Sequence, residues 1–338
     1  MFPGRRISVS VVPIIDVAAL KGGDEDAKNE VGKALDRAGR EIGFFQIVDH
    51  GVPEDVITEM YRVSDEFFAL PDDEKQRVRQ PTPDAVRGYS SVGQQAFSYS
   101  EDIAQPRDLH EKFDVGPVDV DRTDPYFSPD LSGPHFLPNS WPERPEGMEE
   151  IWTRYFREMN DLSRRLMGAF ARGLDLDPEF FAATIDRDIS MLRAINYPHL
   201  DQPPLPGQMR AGAHTDYGSL TIVRQEDAPG GLEVFTQDGD WVPVPVVPGA
   251  FVVNIGDLMA QWTNDLWIST RHRVRPPTPD DSGDTRRMSL VFFHQPNYDA
   301  VIECLPSCVA AGEQPRYAPI TSGDHLTQKF EKTISLAG

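Results

Sequence analysis

His214 and Asp216 stand two positions apart in GAHTDYGSLTIV (212–223), at the mouth of a run that reads as a buried strand. Strand interiors seldom take a carboxylate, so an imidazole and a carboxylate placed side by side there call for a chemical reason. Side chains alternate with period two along an extended chain, which predicts that both residues point to one face. Two ligands for one metal can come from that face, and a third must come from elsewhere. Of the eight histidines, His272 in STRHRVRPP opens a β-like run 56 positions after Asp216, a distance that allows two or three intervening strands. His50 reads as a turn residue before Gly-Val-Pro. His110, His135 and His199 fall in loop-like segments, His294 faces away from its strand neighbours, and His325 lies in a terminal helix. Two neutral imidazoles and one carboxylate suit Fe(II) in an oxygen-activating site, where three open positions accept a bidentate 2-oxoacid and O2. The same three donors also suit a catalytic zinc, and an isolated His-x-Asp pair is commonly satisfied in a turn.

A second group of residues separates these readings. Arg287 and Ser289 follow His272 by fifteen and seventeen positions in TRRMSLVFFHQP (285–296). On a strand, Arg287, Ser289, Val291, Phe293 and Gln295 share one face. The planar fork of an arginine matches a carboxylate in bidentate fashion, and a serine hydroxyl donates one more bond. An arginine pointed into a β core is costly without an anion, and a 2-oxoacid with a distal carboxylate supplies one. A protein carboxylate at the strand end would also serve. In LRAINYPHL, Arg193, Ile195 and Tyr197 alternate onto one face. Tyr197 offers a phenol to the same carboxylate, or stands as a core aromatic with its hydroxyl at the rim. Arg193 is placed to reach a substrate.

The elements that must position these side chains follow from periodicity. Val31, Leu35, Ala38 and Ile42 recur at helical spacing within about 24–42, and GFFQIVDHG (43–51) is a short strand closed by Gly51 and Pro53. Pro53 and the acidic residues after it start a second helix. Ile151, Tyr155, Met159, Leu162, Leu166 and Phe170 form the apolar stripe of a long third helix. From about 80 to 145 the chain is rich in Pro, Asp, Gly and Ser, which predicts a long and mostly irregular stretch. From about 188 to 300, short β-rich runs such as SMLRAINYP, SLTIVRQ, GLEVFTQ, WVPVPVV and AFVVNIG predict a sandwich or barrel. SGDHLTQKFEKTI predicts a last helix. The economical reading is one α+β domain over 1–338: a helix-rich part (1–187), a β core (188–300) and a C-terminal extension with its helix (301–338).

Composition bounds the rest. Of 338 residues, 39% are hydrophobic and 26% charged, the range of a soluble globular chain. The net charge of −21 repels phosphate backbones and anionic membranes, which argues against nucleic acid and membrane partners. A local basic pocket for an anionic substrate remains compatible with it. Cys304 and Cys308 make neither a zinc pattern nor a disulfide framework. The first twenty residues lack a continuous apolar signal region, and no run approaches the about 18 apolar residues of a membrane span, so a cytoplasmic protein is expected. Oligomeric state is not encoded in any pattern found.

Taken in order, VPIIDVAAL, AGREIGFFQIVDHGVP, RGYSSVGQQ, DLHEKFDVG, GAHTDYGSLTIV, GGLEVF, VNIGDLMAQWTND, STRHRV, RRMSLVFFHQP and YAPITSGDHL cover nearly the whole chain. This ordered set resembles the isopenicillin N synthase-like group of Fe(II)/2-oxoglutarate-dependent dioxygenases. The resemblance implies a double-stranded β-helix (jelly-roll) core flanked by helices. It implies His214, Asp216 and His272 as iron ligands, and Arg287, Ser289 and Tyr197 as the site for the distal carboxylate of 2-oxoglutarate. By position, Arg193, Phe293 and Gln295 look like substrate-pocket residues. The implied cofactors are Fe(II), 2-oxoglutarate as cosubstrate and O2. The implied reaction is oxidation of an unactivated C–H bond of a small organic molecule by hydroxylation, desaturation or cyclisation. One departure is visible: many plant members carry an asparagine where this chain has Ile195, with Asn196 expected to face the other way, which shifts oxoacid binding toward Arg287. Two rivals remain at this level. One is an iron oxidase of the same fold that uses no 2-oxoacid, and the other is a non-catalytic metal-binding jelly roll.

Overall fold

The computed structural model describes residues 11–82, 85–94, 106–278, 280–281 and 283–337. Its strands are β1 (Ile14–Asp16), β2 (Phe44–Val48), β3 (Gly88–Ser90), β4 (Glu111–Val115), β5 (Met191–Tyr197), β6 (Ala211–His214), β7 (Leu220–Gln225), β8 (Gly231–Phe235), β9 (Trp241–Pro243), β10 (Phe251–Ile255), β11 (His272–Arg275), β12 (Arg287–His294), β13 (Val301–Ile302) and β14 (Ile320–Thr321). The helices are α1 (Glu25–Glu41), α2 (Glu54–Phe68), the one-turn α3 (Asp72–Lys75) and α4 (Pro129–Ser132), α5 (Met148–Gly173), α6 (Asp257–Trp262) and α7 (Ser322–Ala337). Eight strands form a major sheet in the order β1-β2-β10-β7-β12-β5-β4-β3, and four form a minor sheet in the order β6-β11-β8-β9. Side chains of both sheets meet in one buried cluster that includes Ile195, Tyr197, Leu232, Val234, Val252 and Val274, as a jelly-roll core requires.

The major sheet is two-faced because its strands alternate. Leu192 and Ala194 of β5, Leu220 and Ile222 of β7, and Met288, Leu290 and Phe292 of β12 join the large apolar core with the helices. Arg193, Ile195, Tyr197, Thr221, Val223, Arg287, Ser289 and Val291 occupy the intervening positions and face the minor sheet. The helices bury what their spacing predicts. In α5, Tyr155, Met159, Leu162, Leu166 and Phe170 are buried as expected, with Trp152 and Phe156 widening the stripe. In α1, the Asp24 carboxylate caps the helix by accepting from the Ala27 amide at 2.8 Å.

The stretch from 80 to 145 is mostly irregular among the described residues, as expected, but it also holds two short strands. It contributes β3 and β4 to the major sheet, β4 pairing with β5 so that Asp114 lies opposite Arg193 and Glu111 opposite Asn196. Strands of three and five residues in a Pro- and Asp-rich stretch carry too little periodicity to be read locally. Residues 83–84 and 95–105 of this stretch lie outside the described residues, so RGYSSVGQQ is described only as far as Gln94. WVPVPVV also yields less strand than expected, with only Trp241–Pro243 pairing to β8.

The inner face of β4 and β5 carries buried charge. Asp114 is fully buried, and it accepts from Arg193 Nε at 2.5 Å and from Lys112 Nζ at 2.7 Å. Burial works against ionisation of Asp114, but the two cations outweigh it and hold its pKa below the usual carboxylate range. On the other face Glu111 accepts from Lys75, Tyr89 and Asn196. Asn196 therefore faces away from the β-barrel interior, as the alternation predicts. Asp114→Ala leaves two buried cations without their shared anion. It is expected to cost about 3–5 kcal/mol in urea unfolding, and a loss below about 1 kcal/mol would mean that solvent already screens this pair.

Candidate metal centre

The turn that carries Asp216 is where the chain crosses between sheets. β6 ends at His214 in the minor sheet and β7 begins at Leu220 in the major sheet, so the two residues do not share one continuous strand. The turn between them is held by backbone bonds from the start of α6: the Asp257 amide donates to Asp216 O at 2.7 Å and the Leu258 amide to Gly218 O at 3.1 Å. A side chain at Gly218 would meet His294 O at 2.3 Å, and one at Gly256 would meet Gly218 O at 2.1 Å, so two glycines permit this approach. His272 opens β11 and pairs directly with His214. Four strands, β7 to β10, and a helix intervene, more than the spacing suggested, because the chain visits both sheets before it returns.

The three side chains converge. One donor atom each from His214, Asp216 and His272 lies within 4.8 Å of the others. His214 Nε2 is 3.8 Å from Asp216 Oδ1, and His272 Nε2 is 3.7 Å from Asp216 Oδ2. Both imidazoles are oriented from behind. His214 Nδ1 lies 2.7 Å from Gly212 O and His272 Nδ1 lies 3.1 Å from Thr270 O. A carbonyl can only accept, so each Nδ1 carries the proton and each Nε2 presents a lone pair to the centre. Burial pushes His214 down to about 4, which keeps it neutral at physiological pH. Burial opposes ionisation of Asp216, and the neighbouring His272 and His214, with a 2.7 Å bond from Asn254 Nδ2, keep its carboxyl below the usual range. Two neutral nitrogen donors and one carboxylate, each fixed by an outer partner, fit a divalent transition metal.

The same cavity, about 60 Å³, is walled by Arg287, Ser289, Val291, Phe293, Tyr197 and the three converging residues His214, Asp216 and His272. Arg287 is 2% exposed. Its Nε has no partner among the described residues, and its Nη2 makes only a long 3.5 Å contact to Gln225 Oε1. Among the described residues no carboxylate pairs with it, and burial pushes its pKa down. A desolvated guanidinium facing a cavity without a counter-ion is arranged for an anionic ligand. Among the described residues no strand-end carboxylate is its partner. The Tyr197 phenol faces Ser289, and its ring lies 6.0 Å from the Arg287 guanidinium carbon.

The substrate candidates divide. Phe293 lines the cavity. Arg193 lies over its ring at 5.2 Å while paired with Asp114. Gln295 lies beyond the end of β12 with its amide beside Gly218, outside the cavity lining. Of the remaining histidines, His50 serves its turn by accepting from the Val52 amide at 3.1 Å. His110 lies in the loop just ahead of β4, as expected, and is buried against Tyr197. Reading the residues alone misses Asn254, although a lone amide in the apolar run AFVVNIG is a signal. It also misses Arg210, which is fully buried 5.8 Å from the Tyr197 ring with its guanidinium donating to Pro229 O and Thr285 O.

Comparison with known proteins gives a consistent picture. A family model for the non-haem dioxygenase in morphine synthesis N-terminal region matches residues 12–144, and one for the 2OG-Fe(II) oxygenase superfamily matches 189–296. The chain is 32% identical to a homoarginine-6-hydroxylase of Oryza sativa subsp. japonica, over 94% of this chain and 96% of that protein. It is 31% identical to validamycin A dioxygenase of Streptomyces hygroscopicus subsp. limoneus, over 89% of this chain and 81% of that one. The crystal structure of a full-length Neurospora crassa protein in complex with alpha-KG and thymine superposes with a TM-score of 0.83 at 33% identity, covering 95% of this chain and 97% of that one.

Asn254→Ala removes the bond that orients Asp216. It is expected to weaken Fe(II) or Co(II) binding about 10–100-fold in a metal titration, with secondary structure unchanged by circular dichroism. Unaltered affinity would show that the carboxylate is positioned by the turn alone.

Proposed function

The chain belongs to the Fe(II)/2-oxoglutarate-dependent dioxygenases, and we propose that His214, Asp216 and His272 hold its iron while Arg287, Ser289 and Tyr197 bind the distal carboxylate of 2-oxoglutarate. The enzyme uses Fe(II), 2-oxoglutarate and O2. When bound, these supply the oxidising power to break an unactivated C–H bond of a small molecule, the oxoacid leaving as succinate and CO2.

The observation that carries the residue assignment is the buried Arg287 guanidinium, without a carboxylate partner among the described residues, in the same cavity as three converging metal donors. The rest follows from what the side chains are able to do. The two imidazoles offer neutral donors, so Asp216 contributes the only negative charge and the centre keeps affinity for an anionic oxoacid. Arg287 fixes the oxoacid at its far end, and Ser289 and Tyr197 add hydroxyl donors. Val291 and Phe293 keep water from the space between the two ends. Asn254 and the Asp257 amide hold Asp216 against recoil.

The substrate is proposed as a small organic molecule of specialised or amino-acid-derived metabolism. The names of the relatives support this, as do Phe293 in the cavity wall and Arg193 beside it. Gln295 would take part only by turning away from Gly218. The reading treats 1–338 as one dioxygenase domain. A cytoplasmic location is proposed; among the described residues no helix is long and apolar enough to cross a membrane.

His214→Ala is expected to abolish iron-dependent succinate formation, and wild-type consumption of 2-oxoglutarate by this variant would overturn the ligand assignment. Arg287→Met removes one partner of a buried charge pair, worth about 2–5 kcal/mol, and should raise the KM for 2-oxoglutarate roughly thirty-fold or more. One succinate formed per O2 consumed separates this chemistry from that of an oxidase using no oxoacid.

A further inference from the structure

Next to the metal cavity lies a second, partly open one of about 140 Å³ that the chemistry above does not use. Its walls come from the segment ahead of β3 (Arg87), from His135, from the start of β5 (Ile189, Met191) and from α7 (Leu326, Phe330). It adjoins the metal centre at two places. Met191 is the strand partner of Phe293, which lines the metal cavity. Phe330 packs against Tyr217, the residue after Asp216, with ring centroids 6.0 Å apart. That volume is room for a group about the size of a benzene ring.

Arg87 gives this space its chemistry. It is 3% exposed, and its guanidinium donates to Val86 O at 2.9 Å and to His135 O at 2.6 Å. Its Nε is buried without a partner, and among the described residues no carboxylate lies within ion-pair distance. The nearest acidic influence is Asp114, already bonded to Arg193 and Lys112. The acidic lining residue, Glu331, stands exposed at the rim. His135 is held neutral by burial, which pushes it to about 4, and so supplies no compensating charge. Arg87 thus has no carboxylate of its own among the described residues. A guanidinium desolvated to this degree is arranged for an anion.

We propose that this cavity is the substrate chamber and that Arg87 selects a substrate bearing a carboxylate, held so that its apolar part lies along Met191 and Phe293 toward the metal. The proposal rests on the oxygenase assignment above. It also reconciles a strongly acidic chain with an anionic ligand, since the attraction is local and buried.

The test uses iron-loaded protein saturated with 2-oxoglutarate, held without oxygen, so that the oxoacid site is filled. Calorimetric titration compares butyrate, hexanoate, benzoate and phenylacetate with their primary amides. The acids should bind at least tenfold more tightly than the amides. Arg87→Gln should abolish that preference and Arg87→Lys should retain part of it. Leu326→Trp, which fills the chamber from α7 and leaves Arg87 in place, should block binding of acids and amides alike. Equal binding of acids and amides, binding of neither, or an acid preference that survives both Arg87→Gln and Leu326→Trp overturns the chamber. Succinate formation by the wild-type preparation in air reads the oxygenase assignment separately: its absence sinks that assignment, whereas its presence without an acid preference sinks only the chamber.

Discussion

A strand covered on both sides must pair every polar group it buries, and the major sheet is built on that constraint. Helices α1, α2 and α5 close its outer face, where Leu192, Leu220, Leu290 and Phe292 are buried and the charge of Glu111 is paired with Lys75. The polar groups around the metal cavity lie on the inner face. There, away from water, each one must find a partner or wait for a ligand. Asp114 finds Arg193 and Lys112, and Asp216 finds Asn254 and the two imidazoles. Arg287 and Arg87 find no carboxylate among the described residues, and that is the observation behind the roles proposed for them.

The metal-facing residues depend on joining distant segments. His214 belongs to the minor sheet, Asp216 to a crossing turn and His272 to a strand that arrives after both sheets have been visited. The turn is clamped by the first amides of α6, and the Asp257 side chain extends the clamp outward. It accepts from Ser269 at 2.6 Å and from Lys329 of α7 at 2.6 Å. The C-terminal helix is thereby tied to the backbone that carries Asp216. A displacement of α7 would be felt both at the metal and in the cavity that α7 walls.

Charge is distributed by depth. The chain as a whole carries −21, yet Lys112, Arg87, Arg193, Arg210 and Arg287 are all at least nine-tenths buried. Burial pushes Lys112 down to about 8 even beside Asp114, and Arg210 down to about 10. Net negative charge belongs to the chain as a whole, while these cations lie in its interior. The two do not cancel, because surface charges act through water of high dielectric and the inner ones across a few ångströms of protein.

Much of this was legible in the sequence because it is local. Period-two alternation gave the inner face of β5 and β12 residue by residue, from Arg193 to Tyr197 and from Arg287 to Phe293. The His-x-Asp pair and His272 stood out by chemical type, and the order of motifs carried the family and its jelly roll. What the sequence did not carry is pairing. The strand β4 was hidden in a Pro-rich stretch, and with it went Asp114, 79 residues from the arginine it neutralises. The break between β6 and β7 was invisible because a short strand, a turn and another strand have the same alternation as one long strand. Asn254 read as part of an apolar run, and its meaning depended on β10 lying beside β7. Alternation is a property of each strand alone, so the sequence determined which side chains face inward. Which acid meets which base depends on the register between strands far apart in the chain, and only the tertiary structure decided that.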